Sequence, residues 1–301
     1  GILHIGPITI GDNCTIGTRS VLAENTIMND NTELGELSLL PSGYSIPKNE
    51  YWEGSPAKLN KQHPIPSSPD IRYSDRHKTS LYNVIFTLSF LFVLIVPSIL
   101  LIPWIIIAFE LYVNFGVLYT LPATILMAAL YTVSFCLTVA SIKRVIHSDN
   151  KSDYYSIYSI DYIKKWIVDT LIQLSLTTIQ PLYATIYLPS WLRLLGAKIG
   201  KRAEISTVDH ISADLLSIDD GSFIADSASV GPAVVRNGMM KIGKTVVGKK
   251  SFIGNSALIP IGTRIGENCL IGVLSRPPLE CVDTVIHDTD WLGSPPMILP
   301  K

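Results

Sequence analysis

Residues 10–46 read IGDNCTIGTRSVLAENTIMNDNTELGELSLLPSGYSI. An aliphatic residue or a methionine recurs here at every sixth position, and residues 247–271, VGKKSFIGNSALIPIGTRIGENCLI, repeat the pattern. Each stretch leads to a tryptophan-containing ending, WEGSP at residues 52–56 and WLGSP at residues 291–295. The two blocks align at an offset of about 237 residues, so the chain contains a large tandem repeat.

The six-residue period predicts a parallel β-helix. It fits neither an amphipathic helix, with its period of about 3.6, nor an alternating strand. In a parallel β-helix each short strand points its aliphatic residue inward, and stacked coils bury a continuous core. Aliphatic-glycine pairs in this phase begin at Ile10, Ile16, Leu34, Ile199, Ile242, Val247, Ile253, Ile265 and Ile271. We therefore expect a mainly β chain with two such lobes.

Between the two blocks lies an apolar region that predicts two transmembrane helices. The chain is 48% hydrophobic and only 16% charged. Residues 84–109 contain no ionisable group, and residues 111–140 are again uncharged. Each stretch exceeds the roughly 20 residues that span a bilayer core of about 30 Å. The sequence thus predicts an integral membrane protein with a two-helix hairpin at residues 81–145.

Positive charges flank this hairpin and are absent from the turn at residues 110–116. The flanking cations are Lys58, Lys61, Arg72, Arg76, Lys78, Lys143, Arg144 and Lys151. Because cytoplasmic loops carry an excess of Lys and Arg, both ends of the hairpin are predicted to face the cytoplasm. Both lobes would then lie on the cytoplasmic side of a membrane, which we expect to be the plasma membrane.

Residues 146–196 predict an interfacial or re-entrant helical segment. Residues 170–192 are uncharged but rich in Ser, Thr, Gln and Pro, which makes a spanning helix a poor fit. Lysines and tryptophans at its ends are typical of anchors at the membrane surface: Lys164, Lys165, Trp166, Trp191 and Arg193. A third spanning segment is the alternative, and it would place the second lobe on the opposite side.

These signals divide the chain into five regions. We predict the C-terminal part of a first lobe at residues 1–62, a Pro-rich linker at 63–80, the hairpin at 81–145, the helical segment at 146–196 and a second lobe at 197–301. Within the second lobe, residues 231–241, GPAVVRNGMMK, lack the hexad pattern and are predicted to leave the coil as a loop. In repeat folds, functional residues often lie on loops of this kind.

Composition excludes several kinds of site. The four cysteines, Cys14, Cys136, Cys269 and Cys281, show no metal-ligand spacing, and Cys14 and Cys269 are expected to pack inside the coils. No metal site is therefore predicted. A net charge of −1 gives no electrostatic argument for nucleic-acid binding.

The hexads resemble those of the left-handed β-helix of hexapeptide-repeat acyltransferases, and GSPAK at residues 54–58 is similar to the closing motif of that superfamily. The left-handed sense of the coil is implied by this resemblance, since the six-residue period alone does not determine handedness. The combination of lobes, hairpin, the segment at residues 187–200 and the ending WLGSPPMILPK resembles the C-terminal membrane region of Pls/PosA-type nonribosomal peptide synthetases, the poly-lysine-synthetase-like group.

The resemblance implies several partners. In that group adenylation and carrier domains lie upstream, and membrane-tethered lobes in tandem join aminoacyl units delivered as phosphopantetheine-linked thioesters. This chain would be the junction of the first and second lobes, with the lipid bilayer and further lobes of the same polypeptide as partners. The lobes would form an intramolecular pseudo-trimer. No cofactor is expected to bind directly, and acetyl-CoA is the alternative acyl donor.

Acyl transfer to an amine needs a base and donors for the oxyanion. Hexapeptide acyltransferases commonly use a histidine, and His210 is the best-placed one in the second lobe, with Asp209 beside it to orient the imidazole. Asp226 precedes the loop and is a second candidate base, while Arg236 and Asn237 on the loop are candidate groups for binding substrate or carrier.

Each candidate has a purely structural interpretation. His210 beside Asp209 fits a surface turn, and Asn237 followed by glycine is a common hairpin turn. Asn255 is interpreted as a turn residue with a left-handed backbone. Because the loop contains no histidine, a noncatalytic scaffold that docks the carrier stays open beside an acyltransferase that supports amide-bond formation. An independent membrane acetyltransferase is the third alternative.

Overall fold

The computed structural model describes residues 3–61, 76–146, 154–179, 187–206, 208–209, 211–236, 238–278, 281 and 284–300. Two lobes of short strands flank a group of helices. The first lobe contains β1 Ile8–Ile10, β2 Thr15–Ile16, β3 Val21–Leu22, β4 Thr26–Met28, β5 Glu33–Leu34, β6 Leu39–Leu40, β7 Ser45–Ile46, β8 Tyr51–Glu53 and β9 Lys58–Leu59.

The middle of the chain is mostly helical. Its elements are α1 Arg76–Phe115, α2 Val117–Val145, β10 Tyr154–Ser156, α3 Ile160–Ile179 and α4 Tyr187–Leu194. In the described residues, helical residues outnumber strand residues. The expectation of a mainly β chain therefore holds for the lobes but is wrong for the chain as a whole, because the helices between the lobes are longer than any strand.

The second lobe follows α4. Its strands are β11 Lys198–Ile199, β12 Glu204–Ile205, β13 Val208–Asp209, β14 Leu216–Ile218, β15 Phe223–Ile224, β16 Ala228–Val230, β17 Val234–Arg236, β18 Met239–Lys241, β19 Thr245–Val247, β20 Phe252–Ile253, β21 Leu258–Ile259, β22 Arg264–Ile265, β23 Leu270–Ile271, β24 Asp290–Leu292 and β25 Met297–Leu299. A short 3-10 turn, Ala213–Leu215, precedes β14.

Each lobe is a stack of coils with three parallel faces. In the first lobe the faces are β1-β4-β7, β2-β5-β8 and β3-β6, and in the second they are β11-β14-β19-β22, β12-β15-β20-β23-β24 and β13-β16-β21. Ile10 pairs with Met28, three hexads later, and Val247 pairs with Ile265 in the same way. Strands β9 and β25, which follow the tryptophan endings, add to these faces by antiparallel pairing with β8 and β24. The predicted β-helix coils are thus present in both lobes.

The hexad residues form the cores of these coils. Met28, Leu34, Leu40 and Ile46 are fully buried in the first lobe, as are Val247, Ile253, Ile259 and Ile271 in the second. Burying one such side chain contributes about 1.5–3 kcal/mol. The glycines that directly follow hexad residues lie close to the neighbouring coil. A Cβ atom on Gly17 would lie 2.4 Å from the backbone nitrogen of Glu36.

Left-handed backbone recurs at the corners. In the first lobe a positive φ occurs at every sixth residue, at Asn13, Arg19, Asn25, Asn31, Leu37, Gly43 and Asn49. This geometry costs most residues about 1 kcal/mol or more, and Asn and Gly tolerate it best. The prediction for Asn255 is wrong by one position, because the left-handed residue at that corner is Ser256, with φ of 56°.

Helices α1 and α2 form the hairpin. The stretches Ser80–Phe115 and Val117–Val145 are each long and apolar enough to cross a membrane. Of the most apolar 18 residues in each stretch, only 6% and 22%, respectively, are buried inside the protein. Their exposed surfaces are rich in Leu, Ile, Phe and Val. These properties are consistent with membrane association.

Helices α3 and α4 connect this hairpin to the second lobe. Trp166 on α3 contacts Phe86 on α1, with ring centroids 4.8 Å apart. On α4, Leu192 is fully buried and Trp191 is 6% exposed, and both join the core of the second lobe. The expectation that Trp191 is a membrane-surface anchor is wrong, because the helix turns its apolar face onto the open end of the coil stack.

Residues 231–241 leave the coil, as their sequence predicts. Strands β17 and β18 form an antiparallel hairpin in which Arg236 pairs with Met239, and Gly238 has a φ of 72°. Strand β10 adds to the other edge of β18, where Tyr154 pairs with Lys241. The chain that follows α2 is therefore joined to the loop of the second lobe by a three-stranded sheet.

Candidate functional site

The two lobes lie side by side and in register. Arg19 in the first lobe donates a hydrogen bond of 2.8 Å to the carbonyl oxygen of Ser256, a position 237 residues later. Because this separation equals the repeat offset, equivalent coils lie at the same height. Arg19 also donates to the carbonyl oxygen of Ser227. A cleft between two parallel β-helices follows from this arrangement.

Different faces meet in this contact. Arg276 lies on the coil after β21, on the face that β13, β16 and β21 form in the second lobe. The equivalent residue in the first lobe is Leu39 on β6. Arg276 contacts two residues of the first lobe: Glu53, at the end of β8, and Glu36, two residues after β5. The interface is thus heterologous, with unlike surfaces of two similar units in contact.

A buried ion cluster stabilises the interface. Arg276 is 4% exposed and pairs with Glu53, whose side chain is 8% exposed, and its other terminal nitrogen lies 3.4 Å from Glu36 Oε2. Tyr51 and Asn60 each donate a 2.8 Å hydrogen bond to the Glu53 carboxylate. Burial raises the pKa of the Tyr51 hydroxyl. These partners compensate much of the cost of removing the charges from water.

Two adjoining cavities occupy the cleft. The interlobe cavity, of about 280 Å³, lies beside the ion cluster and is lined by residues that include Glu33, Glu36, Tyr51 and Arg276. The helix-side cavity, of about 400 Å³, lies between α3 and both lobes. Thr18 of the first lobe and the base of the β17–β18 loop, Pro232 and Ala233, line both. The loop therefore borders the cleft, as its departure from the coil suggests.

Polar side chains of α3 and the second lobe face the helix-side cavity. Its lining includes Trp166, Asp169, Thr170, Gln173, Ser212 and Ser229. Lys165 donates to both carboxylate oxygens of Asp169, at 2.6 and 2.7 Å, and to Ser212 Oγ at 2.9 Å. Lysine, aspartate and serine from two elements therefore form one hydrogen-bonded group at the edge of a cavity.

Burial changes the acidity of Asp169. Its side chain keeps 38% of its accessible surface and lies at the wall of the helix-side cavity. Loss of water raises the pKa of this carboxyl above its usual range, and Lys165 only partly offsets the effect. Such a carboxylate accepts a proton more readily than an exposed aspartate does.

Asp226 lies at a corner of the second lobe, outside the lining of both cavities. It is exposed and accepts a hydrogen bond from Ser206 Oγ. Its backbone carbonyl accepts from the amide of Ser256, the residue that Arg19 contacts. Asp226 thus borders the lobe interface rather than the cavities.

The other predicted residues are located only in part. Asp209 ends strand β13, where its backbone pairs with Ser229, and Arg236 ends β17. Only the backbone of these two residues is described. His210 and Asn237 lie outside the described residues. Ile211 and Ser212, which follow His210, line the helix-side cavity, so this part of the chain approaches the cleft.

Sequence reasoning missed Asp169 and the ion cluster. The sequence pattern indicates only an anchoring role for Lys165 and none for Asp169, although an Asp four residues after a Lys is a local pair that can be recognised. No local pattern links Arg276 to Glu53, 223 positions apart. Among the described residues, no group of three His, Cys, Asp or Glu side chains is arranged to hold a metal ion.

Comparison with known proteins agrees with this architecture. The family described as hexapeptide repeat of succinyl-transferase matches residues 7–35 and 244–273, one segment in each lobe, and implies a left-handed β-helix. Delta-poly-L-ornithine synthetase of Acinetobacter baumannii (strain AB307-0294) is 30% identical over 315 residues, which cover 100% of this chain and 23% of the relative. The predicted resemblance to Pls-type synthetases is thereby confirmed.

Proposed function

We propose that this chain, a hexapeptide-repeat segment similar throughout to part of a poly-ornithine synthetase, supports amide-bond formation from carrier-bound aminoacyl thioesters. The comparisons support an acyltransferase-like or synthetase-related role. The chain spans less than a quarter of the relative, so the complete reaction belongs to a longer polypeptide in this proposal. Upstream adenylation and carrier domains would supply the thioester on a phosphopantetheine arm.

The observation that carries the proposal is the cleft between the lobes. Its two cavities are lined by carboxylates, an arginine and hydroxyl groups, and they adjoin through Thr18, Pro232 and Ala233. Cavities of about 300–1,000 Å³ accommodate small ligands. The helix-side cavity thus has room for an amine and the acyl end of a pantetheine arm.

His210, Asp209 and Asp226 remain the proposed bases, and Arg236 and Asn237 the proposed carrier-binding or substrate-binding groups. Support for His210 comes from the next two residues in the chain, Ile211 and Ser212, which line the helix-side cavity. Asp209 would orient the imidazole. Support for Arg236 comes from its strand, since Val234 and Val235 line the interlobe cavity.

A noncatalytic scaffold is the second candidate function. The position of Asp226, exposed and bonded to Ser206, favours it, as does the ion cluster that holds the lobes together. In this alternative the lobes dock the carrier and pack against a further lobe as an intramolecular pseudo-trimer. The heterologous interface supports that arrangement. Each lobe uses a different surface for the contact, so the surface that its neighbour uses stays available on each lobe for a further lobe. The remaining alternative is an enzyme that uses acetyl-CoA as its acyl donor.

We further propose that the hairpin spans the plasma membrane and that both lobes lie in the cytoplasm. The two long apolar helices and the distribution of Lys and Arg around them support this orientation. The bilayer is then a partner of the exposed apolar surface of α1 and α2.

Product formation by the full polypeptide that contains this chain tests the function. His210→Ala, Asp226→Ala and Arg236→Ala are introduced separately, with adenylation and carrier loading measured as controls. Loss of amide formation in a folded variant, with loading intact, assigns chemistry to this lobe. If all three rates stay within about threefold of the parent, equivalent to about 0.7 kcal/mol, these three residues carry no chemistry, which favours the scaffold alternative.

A further inference from the structure

We infer that the helix-side cavity is the acceptor subsite of the proposed reaction, where Asp169 receives a primary ammonium group and takes its proton. This inference rests on the proposed function and adds to it a site, a ligand class and a residue. The ligand is the amine that attacks the thioester. Asp169 is not among the residues predicted from sequence.

The chemistry of the cavity wall fits an ammonium group. Asp169 presents a carboxylate to the cavity, and Trp166, one turn earlier on α3, presents an indole beside it. A carboxylate attracts a cation by charge and hydrogen bonding, and an aromatic face attracts it through its quadrupole, with Trp the strongest of the aromatic side chains. The two side chains together select a cation over a neutral group of equal size.

Asp169 keeps capacity for a further donor. Lys165 donates to each carboxylate oxygen. A carboxylate has about four acceptor positions, so an ammonium group can still bind to it. Because Lys165 also donates to Ser212 Oγ, the carboxylate is held against the wall of the second lobe.

Neighbouring packing fixes the rest of the subsite. The Trp166 ring lies 4.8 Å from the ring of Phe86 and 6.5 Å from that of Phe90, measured between centroids, so α1 sets its position. Thr18 contributes to the wall from the first lobe. The cavity is thus complete only when both lobes and α3 are present.

Burial, more than the neighbouring charges, makes Asp169 a suitable proton acceptor. Lys165 lies on the same helix, while Asp214 on the 3-10 turn and Lys143 on α2 form an ion pair of 3.4 Å beside it. Burial raises the pKa of Asp169. The negative charge of Asp214 adds to this rise, while the positive charges of Lys165 and Lys143 oppose it. A base works best when its pKa approaches the working pH.

The step balances as follows. The ammonium gives one proton to the Asp169 carboxylate, and the free amine attacks the carbonyl carbon of the aminoacyl thioester. A carbon-nitrogen bond forms and the carbon-sulfur bond breaks. The sulfur leaves as a thiolate and takes the second proton from the nitrogen, which gives an amide and a thiol.

Binding of a simple amine to the purified chain in detergent tests the subsite without any catalysis. Butylamine is the probe and butanol is its neutral analogue, with saturation-transfer NMR as the readout. We expect the parent chain to bind butylamine in preference to butanol, and Asp169→Asn to weaken butylamine binding at least tenfold. Asp161→Asn is the matched control, since Asp161 lies on the same helix, pairs with Lys164 at 3.3 Å and does not line the cavity.

Asp169→Glu keeps the carboxylate and checks that loss of binding does not reflect loss of fold. We expect it to bind butylamine within about threefold of the parent chain, with Asp169→Asn giving the parent's circular-dichroism spectrum. Equal binding of butylamine by the parent and Asp169→Asn, or no preference over butanol, overturns the inference.

Product formation separates this inference from the proposed function. In the full polypeptide we expect Asp169→Asn to slow amide formation at least 100-fold with carrier loading intact, while Asp161→Asn stays within about threefold. A parent that forms amide and an Asp169→Asn variant that matches it overturn the inference alone. A parent that binds butylamine at Asp169 but forms no amide overturns the proposed function and leaves an ammonium site.

Discussion

Arg276 in the second lobe and Glu53 in the first form an ion pair in which the two side chains are 4% and 8% exposed. The two residues are 223 positions apart, with the whole helical hairpin of α1 and α2 between them. The pair therefore joins two lobes that are distant in sequence.

Removing this arginine is expected to destabilise the paired lobes. Arg276→Met leaves Glu53 buried without its cation, which costs about 3–5 kcal/mol in comparable sites. The expected result is a clear fall in the midpoint of thermal unfolding in detergent. Arg264→Met is the control, because Arg264 is exposed on the surface of the same lobe, and it should change the midpoint little. Adding Glu53→Gln to Arg276→Met should recover part of the loss, and a double variant as unstable as the single one would contradict this explanation.

Asp169 is expected to make the stability of the protein depend on pH in a defined direction. Its pKa is raised on folding, so the folded state binds the proton more tightly than the unfolded state does. The stabilising contribution of the protonated carboxyl is present below the unfolded pKa, near 3.9, and is lost as pH rises towards the folded value. Asp169→Asn does not titrate. Its melting temperature minus that of the parent should increase as pH rises through this window, and a difference that decreases would refute the shift.

Lys250 tests the cost of left-handed corners. This exposed residue has a φ of 54°. Replacement by glycine removes a backbone strain of about 1 kcal/mol, although the greater freedom of the unfolded chain reduces the gain. Lys250→Gly should therefore unfold at the same or a higher denaturant concentration. Lys249→Gly, at the neighbouring residue without a positive φ, should lower the midpoint, and the opposite order would exclude corner strain as the cause.

The proposed orientation of the hairpin can be measured by labelling. Asn114 is exposed at the end of α1 and Lys48 is exposed on the first lobe. In a cysteine-depleted chain expressed in cells, Asn114→Cys should react with an impermeant maleimide from outside. Lys48→Cys should react only after the cells are opened. Reaction of both residues from the same side would contradict a spanning hairpin.

Local patterns accounted for the coils and the long helices. Met28 and Ile253 are buried because the six-residue period places one aliphatic side chain inward on every face, and each hexad carries that information by itself. The apolar stretches of α1 and α2 are likewise visible without tertiary information. Trp191 was misjudged because an apolar tryptophan beside basic residues looks the same whether it meets lipid or caps a coil stack.

The cleft could not be predicted in the same way. Ser212 and Lys165 meet although they are 47 positions apart, and they do so only because α3 packs against the second lobe. Likewise, the register between Arg19 and Ser256 depends on how two finished lobes dock. Sequence periodicity describes each lobe separately, so it contains no information about the surfaces that face each other.

The sheet formed by β10, β18 and β17 connects the helical hairpin of α1 and α2 to the cleft. Strand β10 follows α2 in the chain, and Lys241 on β18 pairs with Tyr154 on one side and Val234 on the other. Pro232 and Ala233, just before β17, line both cavities. A tilt of the helices would therefore pull on the cavity wall, and we expect bilayer thickness to influence how readily the cleft admits a ligand.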